Sequence, residues 1–170
     1  VVNNTKHIII LSLMVSQALV LSVIESWIPL PVPIPGVKLG LANIITLTVI
    51  VFYGFKDAMS VVLIRCILSS MFGGGITGFI FSMTGGLLST IVMYFIYRKG
   101  SKVFSLIGIS IAGSITHNLA QIVIASFIMK DTAIYTILPV LLISGVVMGL
   151  FVGLCSSFLE KALRNMKMFT

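Results

Sequence analysis

The stretch Trp27-Ile-Pro-Leu-Pro-Val-Pro-Ile-Pro-Gly-Val-Lys-Leu-Gly-Leu-Ala-Asn43 decides how the chain is read, because it is the longest break in an otherwise apolar sequence. Pro29, Pro31, Pro33 and Pro35 alternate with Leu30, Val32 and Ile34. Each proline lacks an N–H and fixes φ, so the stretch cannot be helix interior. The residue before each proline is pushed to extended geometry as well. The expectation is a stiff apolar strap advancing about 3 Å per residue. Pro35-Gly36 then turns the chain and Lys38 opens a new helix. Trp27, Leu30, Val32 and Ile34 read as the apolar side chains of a lid between two membrane helices.

Outward from the strap, the chain is apolar almost throughout. Of 170 residues, 58% are hydrophobic and only 9% charged, where a soluble domain carries about 25% charged residues. Mean hydropathy is +1.21. This is the composition of an integral membrane protein. A bilayer span needs about 20 apolar residues, and six segments are predicted as helices: 7–28, 37–54, 57–72, 76–97, 104–129 and 133–159. The first run is too long for a signal-peptide core and lacks a small-residue cleavage site before Trp27, so it is expected to be a retained helix. Backbone polar groups must be satisfied inside lipid, which leaves helices or a closed barrel. The alternating polarity of barrel strands is absent. The predicted fold is therefore an all-α integral membrane protein, one transmembrane domain of six helices over residues 1–170.

The formal net charge of +7 fits membrane orientation better than nucleic-acid binding, because the basic residues sit at helix ends. With six spans, one side receives Lys6, Lys56, Arg98, Lys99, Lys102, Lys161, Arg164 and Lys167, and the other only Lys38 and Lys130. That bias predicts a multi-pass cell-membrane protein with both termini cytoplasmic and the strap outside. Cys66 and Cys155 fall in apolar runs and read as inert core residues.

Polar groups inside the predicted spans are costly, and such groups usually face a cavity or a partner. The fifth helix carries Ser110, Ser114, His117, Asn118 and Gln121, mostly three or four apart and so near one face. Arg65 lies about 13–14 Å beyond Lys56 along the third helix. Glu25, Lys38 and Asn43 sit near the outer ends of the first two. Each has a bland reading beside the functional one: Arg65 neutralised by Glu25, His117 a hydrogen-bonded core residue, Asn118 and Gln121 helix cross-links, Lys38 snorkelling to the surface. Together, Lys38, Asn43, Arg65, His117, Asn118 and Gln121 form the candidate ligand pocket. Two cations and amide donors suit a ligand with an anionic or carbonyl-rich end. The apolar walls suit an apolar body.

Several chemistries are not expected. No phosphate-binding Gly-x-x-x-x-Gly-Lys-Ser/Thr motif occurs. The four acids, Glu25, Asp57, Asp131 and Glu160, are isolated from one another, so no paired carboxylates hold Mg²⁺ against a diphosphate. No metal site, cofactor or catalytic residue is expected. Small residues recur at helical spacing on three helices, including Ser12 and Ser16 on the first, and permit close helix approach. Packing within the bundle and docking of a membrane partner both remain open for them.

Pro35-Gly-Val-Lys-Leu-Gly-Leu-Ala-Asn43, Arg65, Phe72-Gly-Gly74, Gly78-Phe-Ile-Phe-Ser-Met-Thr-Gly-Gly86 and His117-Asn-Leu-Ala-Gln121 together resemble the Gx transporter family. That family is commonly labelled heptaprenyl diphosphate synthase component I and is similar to the S components of energy-coupling factor (ECF) transporters. The resemblance implies a six-helix S-component-like bundle whose first loop caps an outer pocket. It also implies a transmembrane T component with two cytoplasmic ATPases as partner. S components typically meet that partner through an Ala-x-x-x-Ala-type pattern on the first helix, for which Ser12-x-x-x-Ser16 is the nearest match. The function it implies is uptake of a small vitamin- or isoprenoid-related ligand. The label offers the alternative of a non-catalytic membrane subunit beside a soluble prenyltransferase, since the aspartate-rich Mg²⁺ motifs of prenyl diphosphate synthases are missing. The expected partners are thus a small molecule, membrane lipid and one of these two protein modules, with no nucleic acid.

Overall fold

A computed structural model describes residues 2–28, 38–100 and 103–165. The described residues form six α-helices and no strand: α1 (Val2–Ser26), α2 (Asn43–Phe52), α3 (Phe55–Ser69), α4 (Gly75–Gly100), α5 (Leu106–Met129) and α6 (Leu138–Asn165). Four helical stretches, Thr5–Ser26, Gly75–Gly100, Leu106–Met129 and Ala133–Asn165, are long and apolar enough to cross a bilayer. The protein is an all-α membrane-embedded bundle.

The second helix departs most from expectation. Predicted over 37–54, α2 is only the ten residues Asn43–Phe52, about 15 Å long and half a bilayer. Lys38–Gly40 is not helical, and Gly40 takes φ +90, a conformation that L side chains rarely adopt. Non-helical backbone is tolerated at membrane depth only when buried in protein, and all of Asn43 to Ile50 is buried. The third and fourth helices are nearly continuous. A wide turn, Ser70–Gly74, joins them, and Gly75 at φ +57 starts α4. Between α5 and α6, Lys130 closes α5 in the left-handed region. Asp131 Oδ1 accepts from the Ala133 N–H at 2.8 Å before a short 3₁₀ turn, Ala133–Ile137.

Glycines set the closest helix contacts. A Cβ on Gly149 would stand 2.5 Å from the Ile111 Cα, and one on Gly153 would stand 2.6 Å from the Ile107 Cα. Gly145 meets the Ile115 backbone one turn further on. The backbones of α5 and α6 thus touch in antiparallel register along one glycine-lined seam. A core of Met14, Ala18, Leu47, Val49, Met93, Ile109 and Val152 fills one end. A smaller cluster of Phe81, Ile122, Ala125, Ile134 and Leu141 fills the other. Between them along α4 and α5 come Gly85, Gly86, His117 and Gln121. Outward, Ile143, Val147, Phe151 and Phe158 of α6 and Ile8, Ile9 and Leu13 of α1 are exposed, an apolar coat suited to lipid.

One end of the bundle collects the charges. His7 Nε2 lies 3.2 Å from Asp57 Oδ2, the His7 ring packs on Tyr53, and Arg164 sits over the Phe52 ring. Arg98 donates to the Tyr94 hydroxyl at 3.2 Å. Trp27 stands beyond the far end of α1 and is 76% exposed.

Candidate functional site

The site is built around the short non-helical entry to α2. Three main-chain groups there have no helical partner and are met by side chains. The Gly40 N–H donates to Glu25 Oε1 at the end of α1. The Gln121 amide on α5, oriented by its hydrogen bonds, donates to the Lys38 carbonyl at 3.0 Å and accepts from the Lys38 N–H at 3.2 Å. Gln121 therefore behaves like a peptide unit of a neighbouring strand, and satisfies backbone that lipid cannot. The same Gln121 oxygen accepts from His117 Nε2 at 3.1 Å, one helical turn away, which puts the imidazole proton on Nε2.

The Lys38 side chain runs the other way. Its Nζ donates to Ser22 Oγ and Ser69 Oγ, both at 3.1 Å, and the two hydroxyls are themselves 3.1 Å apart. The ammonium thus ties α1 to α3. It does not snorkel to the surface, being only 7% exposed.

Arg65 and His117 are admitted by adjacent glycines on α4. A Cβ on Gly85 would lie 2.7 Å from His117 Cε1, and a Cβ on Gly86 would lie 3.1 Å from Arg65 Nη2. The missing side chains are what let the ring and the guanidinium reach the bundle interior. Across the site, the Asn43 amide nitrogen lies against Gly40, 2.9 Å from where its Cβ would be, and the His117 ring approaches the same point at 3.7 Å.

Much of this polar surface is left open. Buried atoms without a hydrogen-bond partner include Arg65 Nε and Nη2 and both amide atoms of Asn43. Native proteins pair most buried polar atoms, so these unpaired groups make the cluster the candidate site. His117 bonds the Gln121 amide. Among the described residues no group of three or more His, Cys, Asp or Glu is placed to hold a metal.

Of the residues singled out from sequence, Lys38, Asn43, Arg65, His117 and Gln121 meet here. Asn118 points elsewhere: its Nδ2 donates to the Leu141 carbonyl at 2.7 Å and approaches Ser144 on α6. Of the lid residues, Trp27 is exposed, while Leu30, Val32 and Ile34 lie outside the described residues. Ser12 and Ser16 are exposed on α1 and line a groove of about 400 Å³ with Ser60, Val61 and Ile64 of α3. Glu25, Ser22, Ser69 and the Gly85-Gly86 pair belong to the cluster but not to the predicted ligand set. The sequence signal for Glu25 was its position as the one acid in the first span. Gly85 and Gly86 entered the sequence reading only through the family resemblance and, for Gly86, helix packing.

No curated protein and no solved structure matches the chain. A family model described as heptaprenyl diphosphate synthase component I matches residues 14–159, which covers every element of the cluster. The chain is a member of the heptaprenyl diphosphate synthase component I family.

Proposed function

We propose that the chain is the membrane-embedded binding subunit of an ECF-type uptake system for a small vitamin- or isoprenoid-related ligand. The observation that carries this reading is Arg65: it is 2% exposed, and its Nε and Nη2 have no partner. A guanidinium with unpaired N–H groups inside a membrane protein is expensive, and a ligand that completes it accounts for its presence. Asn43 supplies an amide alongside. In this reading Lys38, Arg65, Asn43 and His117 face the ligand, and Gln121 and Glu25 hold the entry segment in place. Asn118 acts as a tie to α6. The charged end of the bundle is cytoplasmic and meets the energising module, a T component with ATPases, through the Ser12–Ser16 face.

Saturable binding by the purified full chain tests the proposal, using a panel of vitamins, quinone precursors and prenyl compounds. At least one compound should bind, and Arg65→Ala should weaken it about ten- to a hundredfold. No binding across the panel, or an Arg65→Ala variant that binds like the parent, sinks it. The family description favours a second reading, a non-catalytic membrane subunit of a prenyltransferase. Co-purification of a soluble prenyltransferase, with chain elongation only when both are present, would support that reading instead.

A further inference from the structure

Among the described residues three charged side chains are buried: Glu25, Lys38 and Arg65, at 3%, 7% and 2% exposure. They are electrostatic neighbours of one another. Residues 29–37 contain no ionisable side chain, so the charge count around the cluster does not depend on that stretch. One acid against two bases leaves one positive charge. Lys38 spends its ammonium on two serine hydroxyls and Glu25 gives one oxygen to the Gly40 N–H. Arg65 holds its charge at any physiological pH and cannot escape by losing a proton.

The open atoms also have a shape. Nε and Nη2 form the side-on edge of the guanidinium, the pair that meets two oxygens of one carboxylate through parallel hydrogen bonds. Both are buried and free. A phosphate monoester already carries about −1.5 to −2 at pH 7, more than the cluster's single excess charge, and a diphosphate overshoots further. Burying the surplus would repeat the problem with the opposite sign.

We propose that the site takes a monoanionic ligand, a carboxylate at the end of an apolar body, and that it discriminates against a diphosphate. The inference rests on the binding-subunit reading and narrows its substrate class. The geometry assigns the side-on edge of Arg65 to the carboxylate and leaves the Asn43 amide as the neighbouring donor.

The experiment is thermal unfolding of the detergent-solubilised full chain with three matched probes: farnesoic acid, farnesol and farnesyl diphosphate. The acid should raise Tm, and farnesol and the diphosphate should not. Arg65→Gln should abolish the rise. Without any probe, Arg65→Gln should unfold no earlier than the parent, because it removes an uncompensated buried charge. A larger rise with the diphosphate than with the acid overturns the one-charge assignment and leaves the binding reading standing. A probe-free Arg65→Gln that unfolds markedly earlier, with stability restored by Arg65→Lys, also overturns it, since Arg65 would then serve the fold. If none of the three probes raises Tm, the carboxylate assignment falls. The wider panel above decides the binding reading separately.

Discussion

At the scale of single residues, the cluster divides into groups that hold backbone and groups whose polar atoms are unpaired. Gln121 is the clearest of the first kind. Gln121→Leu would leave the Lys38 N–H and carbonyl unpaired in the interior, a loss of about 2–4 kcal/mol from two unsatisfied groups. Thermal unfolding should show the loss, and hydrogen exchange should place it at Lys38–Ala42. Asn118→Ala should also destabilise, by about 1–3 kcal/mol, since it removes the 2.7 Å bond to the Leu141 carbonyl. It should leave the affinity of the folded protein for its ligand unchanged, which binding measured below the unfolding transition will check. Arg65, His117 and Gln121 were legible in the sequence because polar and ionisable groups stand out against an apolar span. Their division of labour was not. Asn118 and Gln121 are three apart on one helix, and only the positions of α2 and α6 decide that they serve different neighbours.

At the scale of elements, the two devices that shape the site are a shortened helix and a run of glycines. The length of α2 was misjudged from sequence because Lys38-Leu-Gly-Leu-Ala42 contains no proline and reads as helix. What stops the helix is tertiary: Glu25 and Gln121 compete successfully for the main-chain groups of Lys38 and Gly40. The glycine stripes were visible as helical spacing, but spacing alone does not say which backbone each approaches. The structure separates them. Gly149→Ala forces a methyl to within 2.5 Å of the Ile111 backbone and should cost about 1–3 kcal/mol as the seam between α5 and α6 opens. Gly113→Ala meets only the flexible Met93 side chain, and Gly78→Ala meets nothing within 4 Å. The order of thermal stability should therefore be Gly78→Ala above Gly113→Ala above Gly149→Ala.

At the scale of the whole molecule, composition alone carried the membrane fold, because so few charges are present to be distributed. The bundle gathers the charged helix ends at one face, with His7, Asp57 and Arg164 in contact with neighbouring helices. The positive-inside rule predicts that this face is cytoplasmic. Cysteine labelling tests the orientation in a background lacking Cys66 and Cys155. A membrane-impermeant maleimide should reach Trp27→Cys in intact cells and Val103→Cys only after lysis. The reverse pattern would place the Trp27 end of α1 on the cytoplasmic side. The central claim is that the buried cluster exists to hold a small anion-bearing molecule, and native mass spectrometry of the gently solubilised full chain tests it most directly. The parent should carry a bound small molecule that ionises as a monoanion, and Arg65→Gln should release it. A parent that emerges bare, or a bound mass retained equally by Arg65→Gln, would contradict the account.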